Sequence, residues 1–233
     1  GTSEKKTVEG GNPFFAEYTT PFGVPPFDQI KFEHYKPALL QGMEEGRKEI
    51  EAIVNNPEEP TFENTILAYD NAGQMLAQTE LIFGMLCAAE TNERMQALQE
   101  QVMPLLSAHR DKIRLDEKLF ARVKDVYDRR ASLGLDAEQS RLLRKTYDAF
   151  VRSGALLDAG QKARLKEING ELSLTAVKFG NNILAENNNF ALELTADDLE
   201  GLPSGVRDAA REKAQAMGKG DKWVFTLHKP SLI

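Results

Sequence analysis

The chain has 233 residues, a hydrophobic fraction of 41% and a formal net charge of −7, from 29 Lys and Arg against 36 Asp and Glu. That size allows one large or two small domains, and the apolar content excludes a disordered chain. The acidic balance argues against a general nucleic-acid binder, and a single cysteine, Cys87, excludes an intrachain disulfide framework.

The chain opens with Gly1 rather than Met, which reads as a processed end or a cloning scar. Residues 1–11 are polar, end in Gly10-Gly11 and form a flexible leader. Such a leader is compatible with export and a tether to a membrane. A periplasmic or cell-envelope location is therefore favoured, with the cytoplasm as the alternative. No apolar run reaches the roughly 18–20 residues of a membrane-spanning helix. The longest, Leu81 to Ala89, is short and interrupted by Gly84.

Residues 12–188 read as an extended arm followed by a helical domain. The arm, Asn12 to Phe27, carries Pro13, Pro21, Pro25 and Pro26 among five aromatics. Proline fixes φ and removes a donor, so extended chain is predicted, laid down on the helices by its rings rather than forming a ligand groove. A helix is predicted from His34 to Asn55, stopped by Asn55-Asn56-Pro57. Thr61 reads as the cap of a long helical pattern that continues through Tyr69, Gly73 and Leu76 to Glu90. Thr91 to Ile113 follows with Pro104 as a kink, and then Asp116 to Leu133, closed by Gly134.

Asp136 with Gln139 and Asp158 with Gln161 each read as a cap residue and a reciprocating Gln. Behind the first lie Leu143, Tyr147, Phe150 and Val151. Behind the second, Leu165, Ile168, Leu172, Thr175, Phe179 and Asn182 alternate by three and four, which predicts a helix with one core-facing seam. Residues 189–233 change texture to strand, helices, strand. Phe190 to Leu194 alternates, helices are predicted from Thr195 and from Leu202-Pro203-Ser204 to about Met217, and Gly218-Lys219-Gly220 turns into Trp223 to His228. Two strands are a marginal sheet, so they are expected to pack on helices. The apolar end Leu232-Ile233 after Pro230-Ser231 points to a chain that continues elsewhere. The fold class predicted is mainly α, a multi-helix bundle with a small two-strand element near the C-terminus.

The residues offer no recognisable catalytic centre. A zinc peptidase commonly sets two His one helical turn apart with Glu beside the first, and no His-Glu-x-x-His is present. His34, His109 and His228 are scattered, and no spacing joins them to Cys87 as a metal site. Cys87 lies in an apolar run where an inert buried thiol is expected, and nothing orients a Cys87–His109 pair. There is no Gly-x-Ser-x-Gly elbow, Walker loop or dinucleotide fingerprint, and Gly218 to Asp221 is only a turn. Glu44-Glu45 and Asp197-Asp198 read as solvated faces and helix-start charges. No catalytic, cofactor-binding or metal residue is assigned.

Three stretches carry a resemblance. Asn12-Pro13-Phe14 followed by Pro26 to Ala38 is similar to the opening of the peptidyl-dipeptidase and oligopeptidase A branch of the thimet oligopeptidase family of zinc metallopeptidases. Asn56-Pro57-Glu58-Glu59-Pro60-Thr61-Phe62-Glu63-Asn64-Thr65-Ile66 is the most specific piece. Trp223 to Leu227 with Pro230-Ser231 resembles a segment well before that family's catalytic region. Phe32 departs from the Pro expected between Lys31 and Glu33. The family's zinc motif, downstream Glu ligand and substrate-binding His and Tyr map onto no position here, and Glu33-His34 is not a ligand pair.

The resemblance implies two helical halves facing across a channel that admits short peptides, with this chain supplying much of one wall. Zinc is expected only in the intact family member. The chain alone is expected to be truncated and inactive, with the missing catalytic region as its partner and some self-association through uncovered faces. The alternative is a non-enzymatic helical module that binds peptides or proteins.

Overall fold

The computed structural model describes residues 11–89 and 92–227. The leader up to Gly10, the Glu90 and Thr91 helix boundary, His228, Pro230-Ser231 and Leu232-Ile233 lie outside them. The chain is mainly helical with one small antiparallel sheet, as its composition and spacing predict. Contacts divide it into one unit running to Thr175 and a second from Ala176.

In the first unit the arm contributes short 3₁₀ turns at Pro13–Phe15 and Pro21–Gly23. It is anchored at one end. Phe14 is buried with its ring 5.7 Å from that of Tyr35, and the Asn12 side-chain amide donates to the His34 carbonyl at 2.7 Å. Beyond that anchor Phe15, Phe22 and Phe27 are exposed, so the rings do not all lie against the helices as predicted.

Helix α1 spans Phe32–Val54, starting earlier than predicted because the His34 ring accepts the Lys31 N–H at 2.9 Å and closes the first turn. A π-helical turn, Phe62–Leu67, follows the Thr61 cap and turns Phe62, Thr65 and Ile66 inward. The long helix expected from Thr61 to Glu90 is broken. Helix α2, Ala68–Asn71, stops at Ala72, whose ψ of 149° is extended, and Gly73 at φ +76° redirects the chain into α3, Gln74–Ala89. Only glycine takes that left-handed conformation without strain.

Helix α4, Glu93–Arg114, is capped by Asn92 and holds Pro104 in its interior. Helix α5, Glu117–Asp128, is shorter than predicted and passes through a 3₁₀ turn to Gly134 at φ +63°. Helix α6, Ala137–Arg152, carries the predicted reciprocal cap: the Gln139 N–H donates to Asp136 Oδ1 at 2.8 Å and the Asp136 N–H to Gln139 Oε1 at 3.1 Å.

Two apolar clusters hold these helices. Tyr35, Leu39, Leu76, Phe83, Leu98 and Val102 join α1, α3 and α4. Ile53, Phe62, Ile66, Val123, Leu143 and Phe150 join α1 and the π turn to α5 and α6. Helices α1 and α3 approach very closely at Gly42, where a Cβ would lie 2.9 Å from the Leu76 Cα.

Helix α7, Ala159–Asn189, is the principal departure from expectation. Its cap forms as predicted, with the Gln161 N–H donating to Asp158 at 2.8 Å. Its early turns dock in the first unit through a Lys162–Glu117 ion pair at 3.2 Å and a hydrogen bond from Asn169 to Asp111 at 2.8 Å. The predicted core-facing seam is not buried. Leu165 is half-buried, but Ile168, Leu172 (62% exposed), Thr175, Phe179 (66%) and Asn182 are all exposed. Spacing by three and four fixes which face is apolar; it does not supply a neighbour to cover it.

In the second unit strands β1, Leu192–Leu194, and β2, Trp223–Phe225, pair antiparallel. The helix predicted from Thr195 is only a 3₁₀ turn at Ala196–Asp198, which Asp198 closes by accepting from both the N–H and the hydroxyl of Thr195. Helix α8, Ser204–Ala216, packs on β2 and leads through Gly218 into it. Among the described residues no helix is long and apolar enough to cross a membrane.

Candidate functional site

The residues able to do chemistry stand apart. His34 is engaged at its cap, its Nδ1 accepting the Lys31 N–H. His109 lies half-buried on α4 against α1, its Nε2 3.6 Å from where a Cβ on Gly46 would sit. Burial lowers its basicity, and Arg110 and Lys112 lower it further. His228 is outside the described residues. Cys87 packs half-buried against the cluster of α1, α3 and α4, and burial pushes its thiol up to about 11. At neutral pH it is a protonated thiol, a poor nucleophile and a poor metal ligand. No hydrogen bond joins Cys87 to His109.

Among the described residues no three His, Cys, Asp or Glu side chains gather as a ligand set for a metal ion. A zinc ion of peptidase type needs such convergence, and the described residues do not supply it. Glu33 sits in the first turn of α1, and Asp197 and Asp198 sit in the 3₁₀ turn. Glu44 pairs with Arg47 on the exposed face of α1; the hydrogen bond from that guanidinium holds its carboxyl down at about 2.

The surface does hold concavities. One of about 1050 Å³ lies between the arm and helices α1 and α3, bordered by Phe14, Phe15, Gln41, Glu45, Gln74 and Leu81. A groove of about 550 Å³ between α1 and α4 is bordered by Met43, Arg47, Ile50, His109, Lys112 and Ile113. Toward the start of α1, a further hollow of about 620 Å³ lies beside Phe32, Pro37, Leu40 and Leu98, with the Arg94 guanidinium 4.2 Å from the Phe32 ring centroid. These are open, mixed apolar and charged surfaces without a nucleophile, a base and an orienting group in mutual reach.

The structure instead explains the most specific sequence stretch. Asn56 to Ile66 is gripped by Arg122 of α5 and by Arg129, the residue just past its C-terminal end. Arg122 donates to the carbonyls of Asn56 (2.9 Å) and Glu58 (3.2 Å) and to Asn64 Oδ1 (3.1 Å). Arg129 donates to the Pro60 carbonyl at 2.6 Å and pairs with Glu59 and Asp125. Asn64 Oδ1 also accepts the Thr61 N–H, and Asn64 Nδ2 donates to the Glu59 carbonyl. Sequence reasoning missed both arginines. Their spacing of seven residues, about two helical turns, was the available signal.

The architecture is that of a mainly helical protein whose distinctive loop is held in place by two arginines. No protein-family model matches the chain. It is 39% identical over 217 residues, 93% of its length, to dipeptidyl carboxypeptidase of Escherichia coli K12. It is 26% identical over 215 residues to oligopeptidase A of the same organism, and 27% identical over 205 residues to thimet-like oligopeptidase of Dictyostelium discoideum. Dipeptidyl carboxypeptidases and oligopeptidases A, of the thimet oligopeptidase family, are thus homologues of this chain along most of its length. It spans about a third of the length of these relatives, 32% of the first two named.

Proposed function

We propose that this chain is the helical, non-catalytic portion of a zinc-dependent peptidyl-dipeptidase or oligopeptidase, forming one wall of a channel for short peptides. Bond cleavage belongs to polypeptide outside this stretch. The observation that carries the reading is the pairing of 39% identity along nearly the whole chain with the absence, among the described residues, of any group of three metal-ligating side chains. Peptide hydrolysis by activated water requires a metal held with an open coordination position. His34 is engaged in a helix cap, and burial together with Arg110 and Lys112 lowers the basicity of His109.

The open grooves of α1 with α3 and α4 support a wall role, because they offer apolar and charged surface without competing chemistry. The test is to supply zinc and a short internally quenched peptide to the purified chain. No turnover is expected. Chelator-sensitive hydrolysis that co-elutes with a homogeneous sample would overturn the proposal.

A further inference from the structure

The sheet of the second unit has two unlike faces. Pairing sets Leu192 opposite Phe225 and Leu194 opposite Trp223, and alternation along each strand puts these four side chains on one side. Glu193 and Val224 point the other way. Val224 is 1% exposed on the strand that packs against α8, where Ala210 and Ala214 are buried too.

The four-residue side is apolar throughout, yet none of it is buried. Leu192 is 48% exposed and Leu194, Trp223 and Phe225 are half-covered, with Phe190 and Leu227 exposed at its ends. The buried apolar set of this unit, among the described residues, is Leu199, Ala210, Ala214 and Val224. That is too little for a two-stranded sheet, which is marginal without a covered apolar face.

We infer that the Leu192–Leu194–Trp223–Phe225 face is an internal docking surface, covered by apolar side chains of the polypeptide corresponding to the remaining two thirds of the relatives. The inference rests on the reading that this chain is part of such a peptidase. Length argues for that occupant, because relatives matching 93% of this chain are about three times as long. Long-range repulsion between two chains, each of net charge −7, disfavours a second copy as the occupant.

The test mixes the purified chain with the separately produced C-terminal two thirds of the E. coli dipeptidyl carboxypeptidase. Assembly is read by light scattering and calorimetry, and activity by peptide hydrolysis. A one-to-one complex is expected, weakened at least tenfold by Leu192→Lys, while the melting curve of the isolated chain is unchanged by that substitution. Failure to form a complex, a complex indifferent to Leu192→Lys, or a homodimer of the chain dispersed by Leu192→Lys would each overturn the docking surface. Hydrolysis by a mixture indifferent to Leu192→Lys sinks the docking surface and leaves the proposed function standing. A complex that depends on Leu192 but never hydrolyses peptide does the reverse.

Discussion

Arg122 and Asn64 form the hub of the first unit: the guanidinium Nη2 donates to Asn64 Oδ1 at 3.1 Å while Nη1 reaches the Asn56 and Glu58 carbonyls. One side chain thereby ties the loop leaving α1 to α5 and to the π turn. Hydrogen bonds from a charged donor are among the stronger ones, and their loss strands the part-buried Asn56 carbonyl. Arg122→Met should destabilise the chain by about 2–3 kcal/mol. Urea melts compared with wild type check this, and a change below about 0.5 kcal/mol would show that water replaces the guanidinium at no cost.

Glycines on two helices should respond in opposite directions to the same substitution. At Gly42 a Cβ would meet the Leu76 backbone at 2.9 Å, so Gly42→Ala must push α1 and α3 apart. A loss of about 1–3 kcal/mol is expected. At Gly84 on α3 nothing lies within 4 Å, and Gly84→Ala should gain about 0.5–1 kcal/mol from helix propensity alone. Thermal melts of the two variants decide it, and equal effects would refute the close approach at Gly42.

Burial raises the Cys87 thiol from an ordinary 9.0 to about 11. At pH 8 the thiolate is then about one part in a thousand, so alkylation by iodoacetamide should be slow and should accelerate tenfold per pH unit up to about pH 10.5. The folded state favours the protonated form. Its contribution to stability is therefore full below pH 9 and is lost as pH rises through about 11. A reaction rate that levels off near pH 8.5 would contradict the burial.

The reciprocal cap at the start of α6 should be measurable on its own. Asp136→Ala removes the acceptor of the Gln139 N–H and should cost about 1 kcal/mol, with Asp136→Asn costing only a few tenths. Equal losses in the two variants would assign the effect to charge rather than to the hydrogen bond.

Legibility in the sequence tracked the range of the interaction. The Asp136–Gln139 and Asp158–Gln161 caps are four-residue devices, and both are found where the spacing places them. The break between α2 and α3 was hidden because Gly73 is compatible with either a continuous helix or a turn. Its left-handed φ goes with a tertiary hydrogen bond, from its N–H to Glu49 on α1 at 2.6 Å. The α7 seam was legible as apolar but not as uncovered, since Ile168, Leu172 and Phe179 have the same spacing whether or not a neighbour lies against them. The grip of Arg122 and Arg129 on residues 56–64 spans sequence separations that periodicity does not sense. Glu33-His34 is a partial exception. The resembled family's zinc ligands map onto no position here, so the sequence does not offer it as a ligand pair, and nothing in the sequence hints that His34 closes the first turn of α1.

Zinc binding by the isolated chain is the most direct test. Equilibrium dialysis of the metal-free protein against micromolar zinc, read by elemental analysis, should leave well below one equivalent bound, with no change on replacing His109 by Ala. One tightly held equivalent, lost in the His109→Ala variant and accompanied by peptide cleavage, would contradict the assignment of catalysis to polypeptide outside this stretch.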